Sequence, residues 1–432
     1  MKAVVRNSSI AGEVAAPSSK SYTHRAFVCG LLSRGSSTIQ NPLFCDDTQV
    51  TMHLCEMMGA EIQKGSDVEI KGPDNIKAPR SEMNCRGSGT TLRIFSALSA
   101  LADGRCVLTG DRSLQRRPIG PLIEALRQLG INAEYLGKNG RPPVRIHGEG
   151  CIKGGKVTIR GDISSQFITA LLFACAKGTE PTTIQITTNL ESQPYVKMSL
   201  EVMNHFGVEA NVSKDWRQIL IPGKQDYQPS EYQVEGDYSS ASFLLAAAAL
   251  SGEVSVSGLR KDTVQGDIKF LQTIRQMGAH VEFGSDLVVR NEELNGLTID
   301  ASNIPDLVPI LAVVATQAHG LTRIVNATRL RLKESNRLAS ISRELKKMGA
   351  DIRQDMDEIM ICGPVRLHGK MLDPHGDHRI AMAGIVAGLV ANGTTVVKNV
   401  ECIRKSYPSF IRDVRSIGGE VELVKDKGIG DL

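Results

Sequence analysis

Aromatic residues are scarce in this chain: one Trp, seven Tyr and ten Phe make up 4% of 432 residues. No stretch interleaves them with basic side chains, which argues against a base-stacking surface for single-stranded nucleic acid. Cysteine is present nine times, an odd number with no Cys-x-x-Cys pair, so neither a disulfide framework nor a zinc knuckle is indicated and a reducing cytosol fits. Charge of one sign is missing too: 51 basic against 47 acidic residues leave a net +4, too mild for a nucleic-acid coat. The longest apolar run, Ile380 to Ala391, has twelve residues, short of the roughly 18 that span a bilayer. After Met1 comes Lys-Ala-Val-Val-Arg, followed at once by polar Asn7, Ser8 and Ser9, so no apolar signal segment is expected and the protein is placed in the cytoplasm, with no membrane partner.

What is there is a globular composition, 41% hydrophobic and 23% charged, in a chain too long for one core, since single cores stop growing at about 250 to 300 residues. An internal repeat organises it. A helix-like segment ending in an apolar residue, then Gly, then a short strand recurs at Gly59, Gly130, Gly207, Gly278, Gly349 and Gly418, at spacings of 71, 77, 71, 71 and 69 residues. A second marker runs in phase at Gly35, Gly104, Gly178, Gly252, Gly320 and Gly393, each 24 to 29 residues ahead of its partner. Both are read as left-handed helix C-caps leading into strands. Six units of two helices and several strands account for the chain.

The first helix of each unit (27–32, 92–101, 167–176, 242–250, 309–317, 380–391) is apolar nearly all round, which means burial on every side. The second (117–129, 197–206, 267–277, 337–348) is charged on one face and should lie outside. Three units closing around their buried helices make one domain, twice over. The expected fold is therefore α/β, with two similar domains.

Polar clusters recur just ahead of the buried helices. Pro17-Ser18-Ser19-Lys20-Ser21-Tyr22-Thr23-His24-Arg25 and Arg86-Gly87-Ser88-Gly89-Thr90-Thr91-Leu92-Arg93 combine helix N-termini, hydroxyls and cations, which suit a phosphate or carboxylate. Ser164-Ser165-Gln166 and Ser239-Ser240 occupy equivalent places, and the latter pair, with no neighbouring cation, is read as capping. The second half supplies Asp306, then Lys333-Glu334-Ser335-Asn336-Arg337, Asp377-His378-Arg379 and Arg404-Lys405-Ser406-Tyr407-Pro408. Asp306 could simply cap the helix that follows it, and Lys333, Glu334 and Arg337 could be one charged helix face. Small anions are the partners this joint pattern favours.

Pro-x-Ser-Lys-Ser-x-x-His-Arg at 17–25, Gly-Thr-x-x-Arg at 89–93, Arg-Arg-Pro at 116–118, Ser-Ser-Gln at 164–166, Lys-Glu-x-x-Arg at 333–337, Asp-His-Arg at 377–379 and Lys-Ser-Tyr-Pro at 405–408 together resemble the 5-enolpyruvylshikimate-3-phosphate synthase family, end to end and in order. The resemblance implies an inside-out α/β barrel in each domain, three βαβαββ units apiece, with the active site in the interdomain cleft. It implies domains at 17–234 and at 1–16 plus 235–432, with hinge strands near 11–17 and 228–236. Transfer of the enolpyruvyl group of phosphoenolpyruvate to the 5-hydroxyl of shikimate 3-phosphate is the implied reaction. No cofactor and no metal are implied, and a monomer is expected.

Residue by residue, the resemblance assigns Lys20, Ser21, Arg25, Ser164, Ser165, Gln166, Ser192, Tyr195, Asp306 and Lys333 to shikimate 3-phosphate. Lys20, Gly89, Thr90, Arg117, Gln166, Glu334, Arg337, His378, Arg379 and Lys405 fall to phosphoenolpyruvate. Asp306, Glu334 and Lys20 take the catalytic roles: one carboxylate accepts the hydroxyl proton, another acid protonates the methylene, and the lysine holds oxyanions. Gly87 and Arg329 stand where the family usually has Asn. Cations on both halves should hold the empty protein open until a dianionic ligand bridges them. The rivals are a UDP-sugar enolpyruvyl transferase, which relies on a catalytic Cys, and an RNA-end-processing protein of related fold.

Overall fold

The computed structural model of the chain describes residues 1–425. Its internal contacts divide it into two bodies: Ser18–Glu235, and Met1–Pro17 with the chain from Gly236 on. The described α-helices are α1 Lys20–Leu32, α2 Asp46–Met57, α3 Gly89–Leu98, α4 Gly120–Gln128, α5 Ser165–Cys175, α6 Gln193–His205, α7 Tyr238–Ser251, α8 Lys269–Met277, α9 Val308–Ala315, α10 Arg337–Lys347, α11 His378–Val390 and α12 Phe410–Ser416. None is long and apolar enough to cross a membrane.

Among the described residues, six four-stranded sheets, three in each body, repeat one pattern. Gly155–Ile159 runs parallel to Thr182–Ile186, which pairs antiparallel with Gln218–Ile221, itself antiparallel to Asn211–Val212. Chain order through such a unit is βαβαββ. The units are not all closed by neighbouring sequence, however. Glu231–Gln233 comes back to lie parallel to Gly35–Gln40 and completes the first unit. Ile10–Ala15 pairs in parallel with Gly252–Ser257, and Lys2–Val5 sits between Thr395–Val397 and Val421–Val424. The opening residues thus supply strands to two sheets of the second body.

The inner helices are buried because they carry no polar face. Every residue of α9 is buried, and α7 is buried from Tyr238 through Ala249. In the second body α7, α9 and α11 pack on one another; in the first, α3 packs on α5. The outer helices are amphipathic: α8 buries Phe270, Leu271, Ile274 and Met277 while Lys269, Gln272, Arg275 and Gln276 face solvent.

Three details differ from the sequence expectation. Three of the second-marker glycines open strands rather than end helices: Gly35, Gly252 and Gly320 are first residues of theirs, and the C-cap of α1 is Ser33. Gly252 has φ 168°, extended backbone open to any residue; what it needs is space, since a Cβ there would lie 1.7 Å from the Ile10 carbonyl oxygen across the strand pair. Next, α1 and α3 start earlier than expected, at Lys20 and Gly89, so the polar motifs form their first turns instead of preceding them. Ser19 and Ser88 cap those turns, and polar residues suit a first turn whose N–H groups have no helical partner. Finally, Ser239 and Ser240 lie inside α7; Asp237 is the cap position, and Ser240 Oγ donates to Asp237 Oδ2 at 2.7 Å.

Candidate active site

In the first body the polar motifs converge through helix N-termini. Lys20, on the first turn of α1, reaches Asp47 on α2 (Nζ to Oδ2, 3.0 Å). Arg25, one turn further on and 2% exposed, donates to Ser199 Oγ at 3.0 Å, to the Ser21 carbonyl at 2.9 Å and to the Tyr195 carbonyl at 2.7 Å. It therefore locks α1 to the start of α6, where Ser192 sits at the cap position with left-handed φ 53°. Ser164 caps α5, accepting from Gln166 N at 3.4 Å, and Ser165 is buried on the first turn.

The second cluster joins α3, α5 and the 111–119 loop. Arg117 is extended (φ −86°, ψ 142°) rather than helical as expected, because Pro118 pushes the residue before it out of the α region; α4 starts only at Gly120. The guanidinium lies against the start of α3: a Cβ on Gly89 would meet Arg117 Nη1 at 2.8 Å. Gln166 Nε2 donates to Thr90 Oγ1 at 2.9 Å, and Arg93 donates to Gln166 Oε1 and, at 3.4 Å, to the Pro118 carbonyl. Gly89, Thr90, Arg117 and Gln166 are thus brought together, with Arg93 binding them.

Beneath these turns runs a buried polar chain. His24 Nδ1 lies 2.6 Å from Thr51 Oγ1, Thr51 lies 2.7 Å from Thr91, and Thr91 lies 2.7 Å from the Ser88 cap. Burial pulls the His24 imidazole down to about 3, so it is neutral at working pH and fixes α1, α2 and α3 without adding charge.

In the second body a salt-bridge cluster is centred on Arg337, which is 1% exposed. Its guanidinium meets three carboxylates: Asp377 (Nε to Oδ2, 2.7 Å), Glu334 (Nη2 to Oε2, 2.7 Å) and Asp306 (Nη1 to Oδ1, 2.6 Å). Lys333 Nζ lies 3.3 Å from Asp306 Oδ1, Arg379 Nη2 lies 3.4 Å from Asp306 Oδ2, and Lys405 Nζ lies 3.9 Å from Glu334 Oε1. Asp306 stands in a short 3₁₀ turn ahead of α9, whose cap position is Leu307, and its carboxylate partners three cations. Arg379 also donates to the Asp306 carbonyl at 3.2 Å. His378 is buried on the first turn of α11 beside Asp377. Arg329, at one of the two departures from the family pattern, donates to the Ser302 carbonyl at 2.7 Å.

These neighbours set the charge states. Burial alone would raise the Asp306 carboxyl, but Arg379, Lys333 and Arg337 outweigh it and hold the group well below the usual carboxylate range. For Lys333 burial wins over Asp306 and brings the ammonium down to about 8. Asp267, buried in a 3₁₀ turn ahead of α8, is pushed up to about 7 by burial and by the nearby Asp306 charge.

Sequence reasoning did not include several of these groups in the site. Arg93 and Asp377 were within quoted motifs, and their hydrogen-bonding capacity was the signal available. Asp47, Ser199 and Asp267 carried no local signal at all.

Cations and helix starts gathered in each of two bodies of three βαβαββ units define an α/β enzyme for small anions. The family model for EPSP synthase (3-phosphoshikimate 1-carboxyvinyltransferase) matches residues 4–414. A 3-phosphoshikimate 1-carboxyvinyltransferase of Methanococcus maripaludis is 39% identical over 430 residues, covering 98% of this chain and 100% of its own. One from Methanosarcina mazei is 42% identical over 436 residues, covering 99% and 100%. The EPSP synthase structure from Acinetobacter baumannii superimposes with a TM-score of 0.82 at 26% identity, covering 98% of this chain and 100% of that one. The chain belongs to the EPSP synthase family.

Proposed function

We propose that the chain transfers the carboxyvinyl group of phosphoenolpyruvate to the 5-hydroxyl of shikimate 3-phosphate. The observation that carries the reading is Asp306, held anionic among Lys333, Arg337 and Arg379: an acceptor for a hydroxyl proton, set among donors for anionic oxygens. The hydroxyl oxygen bonds to C2 of phosphoenolpyruvate as C3 gains a proton. Loss of phosphate from C2 and of a proton from the new methyl group then restores the double bond. In this reading Lys20, Arg117, Arg337, Arg379 and Lys405 hold phosphoryl and carboxylate oxygens, Gly89, Thr90, Gln166 and His378 complete the phosphoenolpyruvate side, and Glu334 handles the methylene proton. Lys20, Ser21, Arg25, Ser164, Ser165, Gln166, Ser192, Tyr195, Asp306 and Lys333 hold shikimate 3-phosphate.

The charge states favour a division of labour at the hydroxyl. A carboxylate held so low is a weak base by itself, because proton-transfer efficiency peaks when the pKa lies near the working pH. Lys333 beside it, brought down to about 8 and so mostly protonated below that pH, holds an anionic oxygen while Asp306 accepts the proton. The rival that relies on a catalytic Cys is disfavoured: Cys85 and Cys106 are buried, and burial pushes both thiols up, away from thiolate.

Phosphate release from phosphoenolpyruvate tests the reading. Release should require shikimate 3-phosphate; release with a UDP-sugar in its place would refute it. Lys333 adds a pH test. A phosphomonoester is dianionic above its second pKa of about 6, so above neutrality the charge that changes is the ammonium's. The kcat/KM for shikimate 3-phosphate should fall as pH rises through about 8, and Lys333→Arg, charged throughout, should flatten that limb. An unchanged profile in the variant would assign the limb to another group.

A further inference from the structure

Glu344 is a buried carboxylate with no part in the chemistry above. It lies on α10, seven residues beyond Arg337, and its side chain is 3% exposed. Its Oε2 accepts from the Asp373 backbone N–H at 3.0 Å and from Lys347 Nζ at 2.5 Å; its Oε1 lies 2.9 Å from His375 Nε2. Lys347 is on α10 itself, while Asp373 and His375 belong to the turn that leads into α11. Within the turn Asp373 Oδ1 accepts the His375 N–H at 2.7 Å, His375 is left-handed at φ 53°, Gly376 follows at φ 72°, and the Asp377 N–H donates to the Pro374 carbonyl at 2.9 Å.

That turn sets the direction of two arginines. Asp377 is the cap of α11, accepting the Arg379 N–H at 3.0 Å, and the same carboxylate receives Arg337 Nε at 2.7 Å and Ser335 Oγ at 3.2 Å. Helix α10 is therefore tied to the start of α11 at two places, through Arg337 to Asp377 and through Glu344 to Asp373 and His375. With only the first tie the turn could pivot about Asp377, and Arg379 would pivot with it. A left-handed non-glycine residue is costly unless its surroundings hold it, and here the imidazole of that residue is what Glu344 grips.

We propose that Glu344 and His375 form a positioning pair that aims Arg379, and through Asp377 Arg337, at the phosphoenolpyruvate oxygens. The proposal rests on the reading that these arginines hold phosphoenolpyruvate. A misplacement of about 1 Å by a residue away from the chemistry can cost about 100-fold, so an effect of about tenfold is within reach of a pivoting turn.

Steady-state kinetics on three variants of the full chain, each with its melting temperature, test it. His375→Asn keeps a residue tolerant of the left-handed region and shortens the side chain out of reach of Glu344. Glu344→Ala removes the contacts to both Asp373 and His375. Glu344→Gln can still accept from the Asp373 N–H while its amide reaches the His375 ring nitrogen. The KM for phosphoenolpyruvate should rise about tenfold in His375→Asn and at least as much in Glu344→Ala, and kcat and the KM for shikimate 3-phosphate should change far less. Glu344→Gln should recover most of the loss, and adding His375→Asn to Glu344→Ala should cost nothing more. Lower melting temperatures with the KM for phosphoenolpyruvate within twofold of the parent in His375→Asn and in whichever Glu344 variant folds would overturn the proposal. A parent that releases no phosphate from the two substrates would instead bring down the functional reading beneath it.

Discussion

Asp306→Asn and Glu334→Gln are each expected to fold normally, bind both substrates, and lose turnover by about 100- to 10,000-fold, the usual contribution of a general acid or base. Both carboxylates sit among cations that outnumber them locally, Asp306 with Lys333, Arg337 and Arg379, Glu334 with Arg337 and Lys405. Neutralising either leaves more positive charge facing two anionic substrates. Ground-state affinity should hold or tighten while kcat collapses, which separates a proton-transfer role from a binding role. A kcat within about tenfold of the parent, or a loss carried by KM alone, would remove these residues from the catalytic assignment. Arg337 keeps its other carboxylates in each variant, Asp377 above all, so no buried guanidinium is left without a counter-charge and gross unfolding is not expected.

Gly89→Ala is expected to weaken phosphoenolpyruvate by about tenfold or more while leaving the melting temperature nearly unchanged. The added methyl group would stand 2.8 Å from Arg117 Nη1 and 2.9 Å from its Cζ, closer than real Cβ contacts allow, so the guanidinium must move. The flexible side chain can retreat without disturbing the backbone, and alanine is a better helix former than glycine, so the cost falls on the ligand and not on the fold. Shikimate 3-phosphate, whose proposed contacts lie at α1, α5, the start of α6, Asp306 and Lys333 and do not include Arg117, should bind nearly as before. Equal weakening of both substrates in Gly89→Ala would show that the Arg117 contact is not specific to phosphoenolpyruvate.

The repeat and the helix burial were legible because they are short-range patterns. Residues 380–391 are apolar on every face, and any fold must bury such a helix on all sides. Gly349 follows α10 with φ 98° because a left-handed C-cap is a local requirement. The motif residues were legible as a set but not as a geometry. Gly89 and Arg117 were both named, yet only the structure shows that one leaves room for the other.

Capping is not decided locally, since a serine or aspartate ahead of a helix can cap it or can serve something else. Ser19, Ser88 and Ser164 do cap. Asp306 instead faces three cations, and Ser240 bonds to the cap residue Asp237. Nothing within a few residues distinguishes these cases, because the deciding partners are elsewhere in the chain.

The sequence by itself determined the number of repeating units, the inner and outer helices, and the residue types that could hold a dianion. Those follow from periodicity, turn chemistry and side-chain charge, all of which act over a few residues. The tertiary structure alone decided that Ile10–Ala15 closes a sheet with Gly252–Ser257, that Arg337 joins Asp306, Glu334 and Asp377, and that Glu344 grips the turn before α11. Such pairings join groups up to hundreds of residues apart, and their partners are selected by how the helices and sheets pack, which no local pattern encodes.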